Sequence, residues 1–146
     1  MLDDAERRRL TQRWTLPQVT LVDTSTGLSE VYLDGVALIL NHAADWREWL
    51  TSQLQDEDGS TLWPVAQGQS GSLLLGVLGY GTLHAWGAGR RMGPQWRNLP
   101  PQPNRRVALI DDCRFTGTTL RELRAACEAE GWVVAKEIVC ALRDEE

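Results

Sequence analysis

The stretch that most constrains this chain is Val107-Ala108-Leu109-Ile110-Asp111-Asp112, followed by Cys113-Arg114-Phe115 and Thr116-Gly117-Thr118-Thr119. Four apolar residues run into two adjacent carboxylates, and a Thr-Gly turn then opens an amphipathic stretch at Leu120. A short apolar run of this kind reads as a strand of a parallel sheet, buried on both faces. Ligands of open α/β sheets bind at the carboxyl ends of the strands, which is where the Asp pair falls. Thr116 to Thr119 form a turn at a helix N-terminus. Free backbone N–H groups and the positive end of the helix dipole favour an anion such as phosphate there. The bland alternative is an ordinary strand–helix connection with Asp at the helix cap, since Asp, Thr and Gly are common in such loops.

A chain of 146 residues is expected to form one domain spanning 1–146, with an N-terminal surface segment over 1–14. A net charge of −5 argues against a broad nucleic-acid-binding surface, which needs positive patches. Lys136 is the one lysine, against 14 arginines. Cys113, Cys127 and Cys140 have no zinc spacing, and the last two fall on apolar faces as buried thiols. Met1 to Leu10 is charged, so no signal peptide is expected, and no apolar run approaches the ~20 residues that span a membrane. The expectation is a cytoplasmic protein with neither nucleic-acid nor membrane partners.

Along the chain, residues 1–13 suit a short helix with Asp3 and Asp4 at its start and Arg7, Arg8 and Arg9 on a solvated face. Thr20-Leu21-Val22 and Glu30-Val31-Tyr32-Leu33-Asp34 read as extended, with a turn over 24–29 between them. Asn41 to Leu54 reads as a helix with Ala43, Trp46, Leu50 and Leu54 on one stripe and Trp49 alongside. His42 at its start suits a cap or surface position. Ser72 to Val77 reads as a second buried strand, Leu78 to Thr82 as a glycine-bearing turn, and Leu83 to Arg91 as a helix. Residues 87–106 are the least regular, since Pro94, Pro100, Pro101 and Pro103 oppose a central strand. Leu120, Leu123 and Cys127 mark a last helix ending at Glu130-Gly131, and Trp132 to Leu142 a last strand.

The segment from Val107 to Thr119 resembles the phosphoribosyl pyrophosphate signature of type I phosphoribosyltransferases: four hydrophobic residues, two acidic residues, three variable ones, then Thr-Gly-x-Thr. Thr26-Gly27 with Ser29-Glu30-Val31-Tyr32-Leu33-Asp34 resembles the opening of the orotate enzymes of that family, although Leu28 stands where a basic residue is common. The resemblance implies an α/β fold, a mainly parallel sheet flanked by helices. It implies that Asp111 and Asp112 hold the ribose hydroxyls, directly or through Mg²⁺. Phe115, Thr116, Gly117, Thr118 and Thr119 would take the 5-phosphate, with the base pocket near Phe115. By position, Gly76, Val77, Leu78, Gly79, Tyr80 and Gly81 would meet the diphosphate.

Arg90, Arg91 and Arg97 have two open readings, a reduced closing loop over the diphosphate or a solvated proline–arginine loop. The family usually places lysine in that closing loop. The implied activity is transfer of ribose 5-phosphate from phosphoribosyl pyrophosphate to a nitrogenous base, an orotate-type pyrimidine first. The alternative is a non-catalytic phosphoribosyl pyrophosphate or nucleotide sensor. A general Rossmann-like binder lacks the Gly-x-Gly-x-x-Gly turn in the proper place. A homodimer is the expected assembly, from the resemblance and the seven tryptophans.

Overall fold

The computed structural model describes residues 1–24, 27–79, 85–89, 93–96, 104–114 and 117–143, with backbone alone for 16–24, 27–32, 69, 85–89 and 93–96. In chain order the elements are α1 (Asp4–Arg13), β1 (Thr15–Thr24), β2 (Gly27–Leu33), α2 (Gly35–Leu40), α3 (Ala43–Gln53), β3 (Trp63–Gln67), α4 (Gly68–Val77), β4 (Ala85–Gly89), β5 (Gly93–Trp96), β6 (Arg106–Asp111), α5 (Thr118–Ala129) and β7 (Val133–Val139). β1 and β2 form an antiparallel hairpin of their own. The other five strands make one sheet in the order β5-β4-β3-β6-β7. β4, β3, β6 and β7 pair in parallel, and β5 closes one edge antiparallel to β4.

Alternation along β6 shows why its apolar run is continuous. Val107 and Leu109 pack with Leu120, Leu123 and Cys127 of α5 and with Trp132. Ala108 and Ile110 face the opposite way, into a larger core with Leu38 and Ile39 of α2, Trp46, Trp49 and Leu50 of α3, and Leu74 and Leu75 of α4. Each face needs a cover, and each fully buried Leu or Ile contributes about 1.5–3 kcal/mol. Trp46 is fully buried with its indole N–H on Leu38 O (2.9 Å), and it packs edge-to-face on Trp49. The helical stripe expected over Asn41 to Leu54 is α3, and its two tryptophans are core residues.

Two expectations are overturned. Ser72 to Val77 is the body of α4, and the strand lies earlier, at Trp63–Gln67. A short apolar run suits a buried strand or a buried helix equally. Pro64 speaks against a strand, yet it lies within β3, paired in parallel with Ala108 of β6. The helix expected over Leu83 to Arg91 is also replaced: its described part, Ala85–Gly89, is β4. Pro94 lies in the edge strand β5.

The N-terminal segment is docked rather than merely superficial. The Arg7 guanidinium donates to Val139 O (2.8 Å) and Cys140 O (3.2 Å) and lies 4.1 Å over the Trp49 ring. Thr11 is buried, and its hydroxyl accepts from Leu142 N (2.9 Å). Arg7 therefore satisfies carbonyls at the end of the edge strand β7, that of Val139 within it and that of Cys140 just after it, instead of facing solvent. Trp14 Nε1 donates to His42 Nε2 (3.1 Å), which ties the end of α1 to the start of α3.

Candidate functional site

β3 runs on through α4 to β4 on one side of the sheet, and β6 runs on through α5 to β7 on the other. The connections diverge between β3 and β6, and the crevice outside their carboxyl ends is the ligand position of such sheets. Asp111 ends β6 and Gln67 ends β3. The expected acidic pair is therefore at the switch point.

Asp111 is 8 % exposed, and its Oδ1 accepts from Asp112 N (2.9 Å). Burial pushes its carboxyl up to about 8, a hydrogen bond with the Asp112 side chain and that neighbour's charge add to the rise, and Arg114 opposes it. Burial therefore favours the neutral form of Asp111 over the charged one. Cys140 N on Asp111 O (3.0 Å) and Ala141 N on Asp112 O (2.8 Å) continue the ladder past β7 and fix the backbone of the pair. Asp112 is half-buried against the start of α2, where a Cβ on Gly35 would collide with its Oδ2. Asp34 holds that start in place by accepting from Ala37 N (3.0 Å).

Gly117 is left-handed (φ 79°) and precedes α5, whose N-terminus has no side-chain cap. The Thr118 hydroxyl accepts from Arg121 (3.1 Å), and Thr119 is half-buried. Gly117, Thr118 and Thr119 thus stand at the start of α5, where the positive end of the helix dipole lies. Phe115, Thr116, Tyr80, Gly81, Arg90, Arg91 and Arg97 lie outside the described residues.

A second helix start was missed by sequence reasoning. Gly68 takes φ 75° directly after β3, and α4 also begins without a side-chain cap. A Cβ on Gly71 would sit 2.8 Å from Ala66 Cβ and 3.1 Å from Ala66 C, so only glycine lets this helix pack so closely on its strand. The signal available in the sequence was Gln67-Gly68-Gln69-Ser70-Gly71, two glycines around a polar turn after Val65-Ala66. Gly76, Val77, Leu78 and Gly79 stand elsewhere. They form the last turn of α4 and its cap. α4 is ten residues, about 15 Å. It must return to start β4 parallel to β3, so its end lies at the amino ends of the strands, away from Asp111. A helix C-terminus presents carbonyls, the wrong polarity for an anion. Val77 O already accepts from Arg47 (2.7 Å).

Lys136 is equally remote in function. Its ammonium donates to Gln53 O (2.8 Å) and Gln55 O (3.0 Å), carbonyls at the end of α3. Arg114 and Arg124 both bind Glu137 of β7 (3.2 and 3.0 Å), which tethers the loop after the acidic pair to α5. Burial pushes the Cys127 thiol up to about 12 and raises Cys140 as well, so neither is a thiolate nucleophile. Among the described residues no three His, Cys, Asp or Glu side chains gather as a metal cage. Asp111 and Asp112 fit Mg²⁺ only in the way that ion is commonly held, by one or two carboxylates with substrate phosphates completing its shell. No described helix is long and apolar enough to cross a membrane.

No family model matches the sequence, and no curated protein matches it. Solved structures do match. Orotate phosphoribosyltransferase of Mycobacterium tuberculosis H37Rv, in complex with inorganic phosphate, aligns with TM-score 0.59 at 17 % identity over 93 % of this chain and 80 % of that one. The orotate phosphoribosyltransferase of Aeropyrum pernix aligns with TM-score 0.58 at 21 % identity, covering 91 % and 78 %. Leishmania donovani UMP synthase aligns with TM-score 0.59 at 14 % identity over 94 % of this chain and 31 % of that larger one. With its Asp pair at the switch point between β3 and β6, this chain has the type I phosphoribosyltransferase fold, and its structural neighbours are orotate phosphoribosyltransferases.

Proposed function

We propose that the chain binds phosphoribosyl pyrophosphate and transfers its ribose 5-phosphate to a nitrogenous base, with an orotate-type pyrimidine the first candidate. One observation carries this reading: Asp111 and Asp112 stand at the carboxyl end of β6, in the connection that leads to left-handed Gly117 and the start of α5. The 5-phosphate goes to the N–H groups of Gly117 to Thr119. The ribose hydroxyls go to Asp111 and Asp112, directly or through Mg²⁺. The diphosphate goes to residues 67–71 at the start of α4 rather than to Gly76 to Gly81. Displacement at the anomeric carbon builds positive charge on the sugar and negative charge on the departing diphosphate. Backbone N–H groups aimed at that diphosphate stabilise it without reorganising. Mg²⁺, bound with the substrate against Asp111 and Asp112, would supply further neutralisation of the leaving group.

A non-catalytic sensor of phosphoribosyl pyrophosphate is the second reading. Lys136, the one lysine, binds carbonyls at the end of α3, so no lysine of this chain serves the leaving group. Calorimetric titration with phosphoribosyl pyrophosphate, with and without Mg²⁺, tests both. Diphosphate release is then followed on adding orotate, uracil or purine bases. Binding with release supports transfer, binding without release from any base supports the sensor, and no binding removes both.

A further inference from the structure

Arg121 stands at the electrostatically unfavourable end of its helix. The start of α5 carries the positive end of the helix dipole, which favours carboxylates and disfavours cations. Its first turn holds no acidic residue. Arg121 enters one turn on, with its backbone N–H on Gly117 O (3.0 Å). Side chains of a helix lean toward its N-terminus, and this one folds back over the start of α5. Its Nη2 donates to the Thr118 hydroxyl (3.1 Å), and its Nη1 lies 3.4 Å from where a Cβ on Gly117 would stand. Both contacts put a permanent positive charge against the Gly117–Thr118 turn. The other two arginines around this connection, Arg114 and Arg124, both bind Glu137 of β7.

On α5 the residues three and four positions from Arg121 are Gly117, Thr118, Arg124 and Ala125, so helical spacing offers it no carboxylate and one like charge. A cation opposed by the dipole and by a helix neighbour is relieved when an anion enters the turn. The backbone N–H groups there carry only partial charges, whereas a phosphomonoester carries about −1.5 to −2 at neutral pH. A guanidinium supplies a full charge and a planar fork of donors that matches phosphate oxygens. We propose that Arg121 is a phosphate-binding residue of the α5 turn, where it selects sugar ligands that end in a phosphomonoester. The assignment rests on the proposed function and deepens it, since it adds a side-chain ligand to a 5-phosphate site otherwise built from backbone N–H groups.

The test is calorimetric titration with ribose 5-phosphate at low and high salt, on the wild-type chain, Arg121→Gln, Arg121→Lys and the control Arg9→Gln, with ligand-free thermal midpoints alongside. Arg121 and Arg9 are both exposed, so each variant keeps the fold. Arg121→Gln should bind about tenfold more weakly, with a shallower salt dependence. Arg121→Lys should restore the salt dependence and part of the affinity, because it returns the charge without the fork. Arg9→Gln should match the wild type. The midpoint of Arg121→Gln should be equal or higher, because a cation has left the positive end of a helix. A merely structural arginine would lower the midpoint and leave the salt dependence as it was. That outcome, an unchanged affinity in Arg121→Gln, or an equal loss in Arg9→Gln overturns the role of Arg121 and leaves the proposed function standing. A wild-type chain that binds neither ribose 5-phosphate nor phosphoribosyl pyrophosphate overturns both.

Discussion

The carboxylate of Asp112 lies against the Cα of Gly35, so close that a methyl group on Gly35 would occupy the position of Asp112 Oδ2. The side chain of one candidate site residue is thus shaped by the absence of a side chain at the start of α2. Gly35→Ala favours the helix backbone itself. Asp112 must nevertheless leave its place, and displacements of about 1 Å at a reacting site cost on the order of 10²-fold. Gly35→Ala is expected to lower affinity for phosphoribosyl pyrophosphate by at least about tenfold while circular dichroism shows the fold retained. Unchanged affinity in the folded variant would mean that Asp112 does not contact the ligand.

Asp111 links the site to pH. Its carboxyl titrates near 3.8 in the unfolded chain and is pushed up to about 8 in the native one. Between these values the native state holds a proton that the unfolded state has lost. The stabilisation is full below about pH 4 and is lost as pH rises toward 8. Urea unfolding in chelator-treated buffer from pH 4 to pH 8.5 should show this decline. Asp111→Asn, neutral throughout, should flatten it and at pH 8.5 exceed the wild type by at least about 1.4 kcal/mol, the equivalent of one pKa unit. Parallel profiles for the two proteins would place the titration elsewhere.

Val107 to Asp112 was readable because parallel-sheet strands need apolar residues on both faces, and the break into Asp-Asp marks where cover ends. α3 and α5 were readable because each has a solvent face, so Trp46 and Leu50, or Leu120, Leu123 and Cys127, recur at helical spacing. α4 has no such contrast. Ser72 to Val77 is apolar on most sides, and length alone separates a buried helix from a buried strand. That reading put the candidate diphosphate turn at the C-terminal end of α4, whereas we propose its N-terminal end. β3 is short and carries Pro64, a residue that opposes strands in composition, so its place in the sheet shows only in its pairing with β6. The docking of Arg7 was hidden for a similar reason, since its acceptors are carbonyls 132 and 133 residues away.

Arg7 offers a direct check of that docking. Its side chain is 12 % exposed, its guanidinium binds two carbonyls at the end of β7, and it covers the Trp49 ring. Truncation leaves those carbonyls short of donors and removes packing as well as charge. Arg7→Ala should lose about 2 kcal/mol in chemical unfolding, whereas Arg9→Ala, on an exposed position, should lose less than about 0.5 kcal/mol. Equal small effects would show α1 to be an independent surface helix.

The two ends of α4 separate the two locations for the diphosphate. At Gly71 a Cβ would press on Ala66 Cβ at 2.8 Å, so Gly71→Ala must push α4 off β3 or distort the turn that begins at Gly68. Overpacking of this kind costs about 1–3 kcal/mol. The same shift moves the N–H groups at the start of α4. At Gly76 a Cβ meets nothing within 4 Å, and the position is helical. Gly76→Ala should therefore be neutral or stabilising by up to about 1 kcal/mol, from helix propensity. Inorganic diphosphate binding, measured by calorimetry on both variants, reads the difference: Gly71→Ala should weaken it about tenfold or more, and Gly76→Ala should leave it unchanged. A loss confined to Gly76→Ala would return the diphosphate to the C-terminal end of α4, against the polarity of the helix.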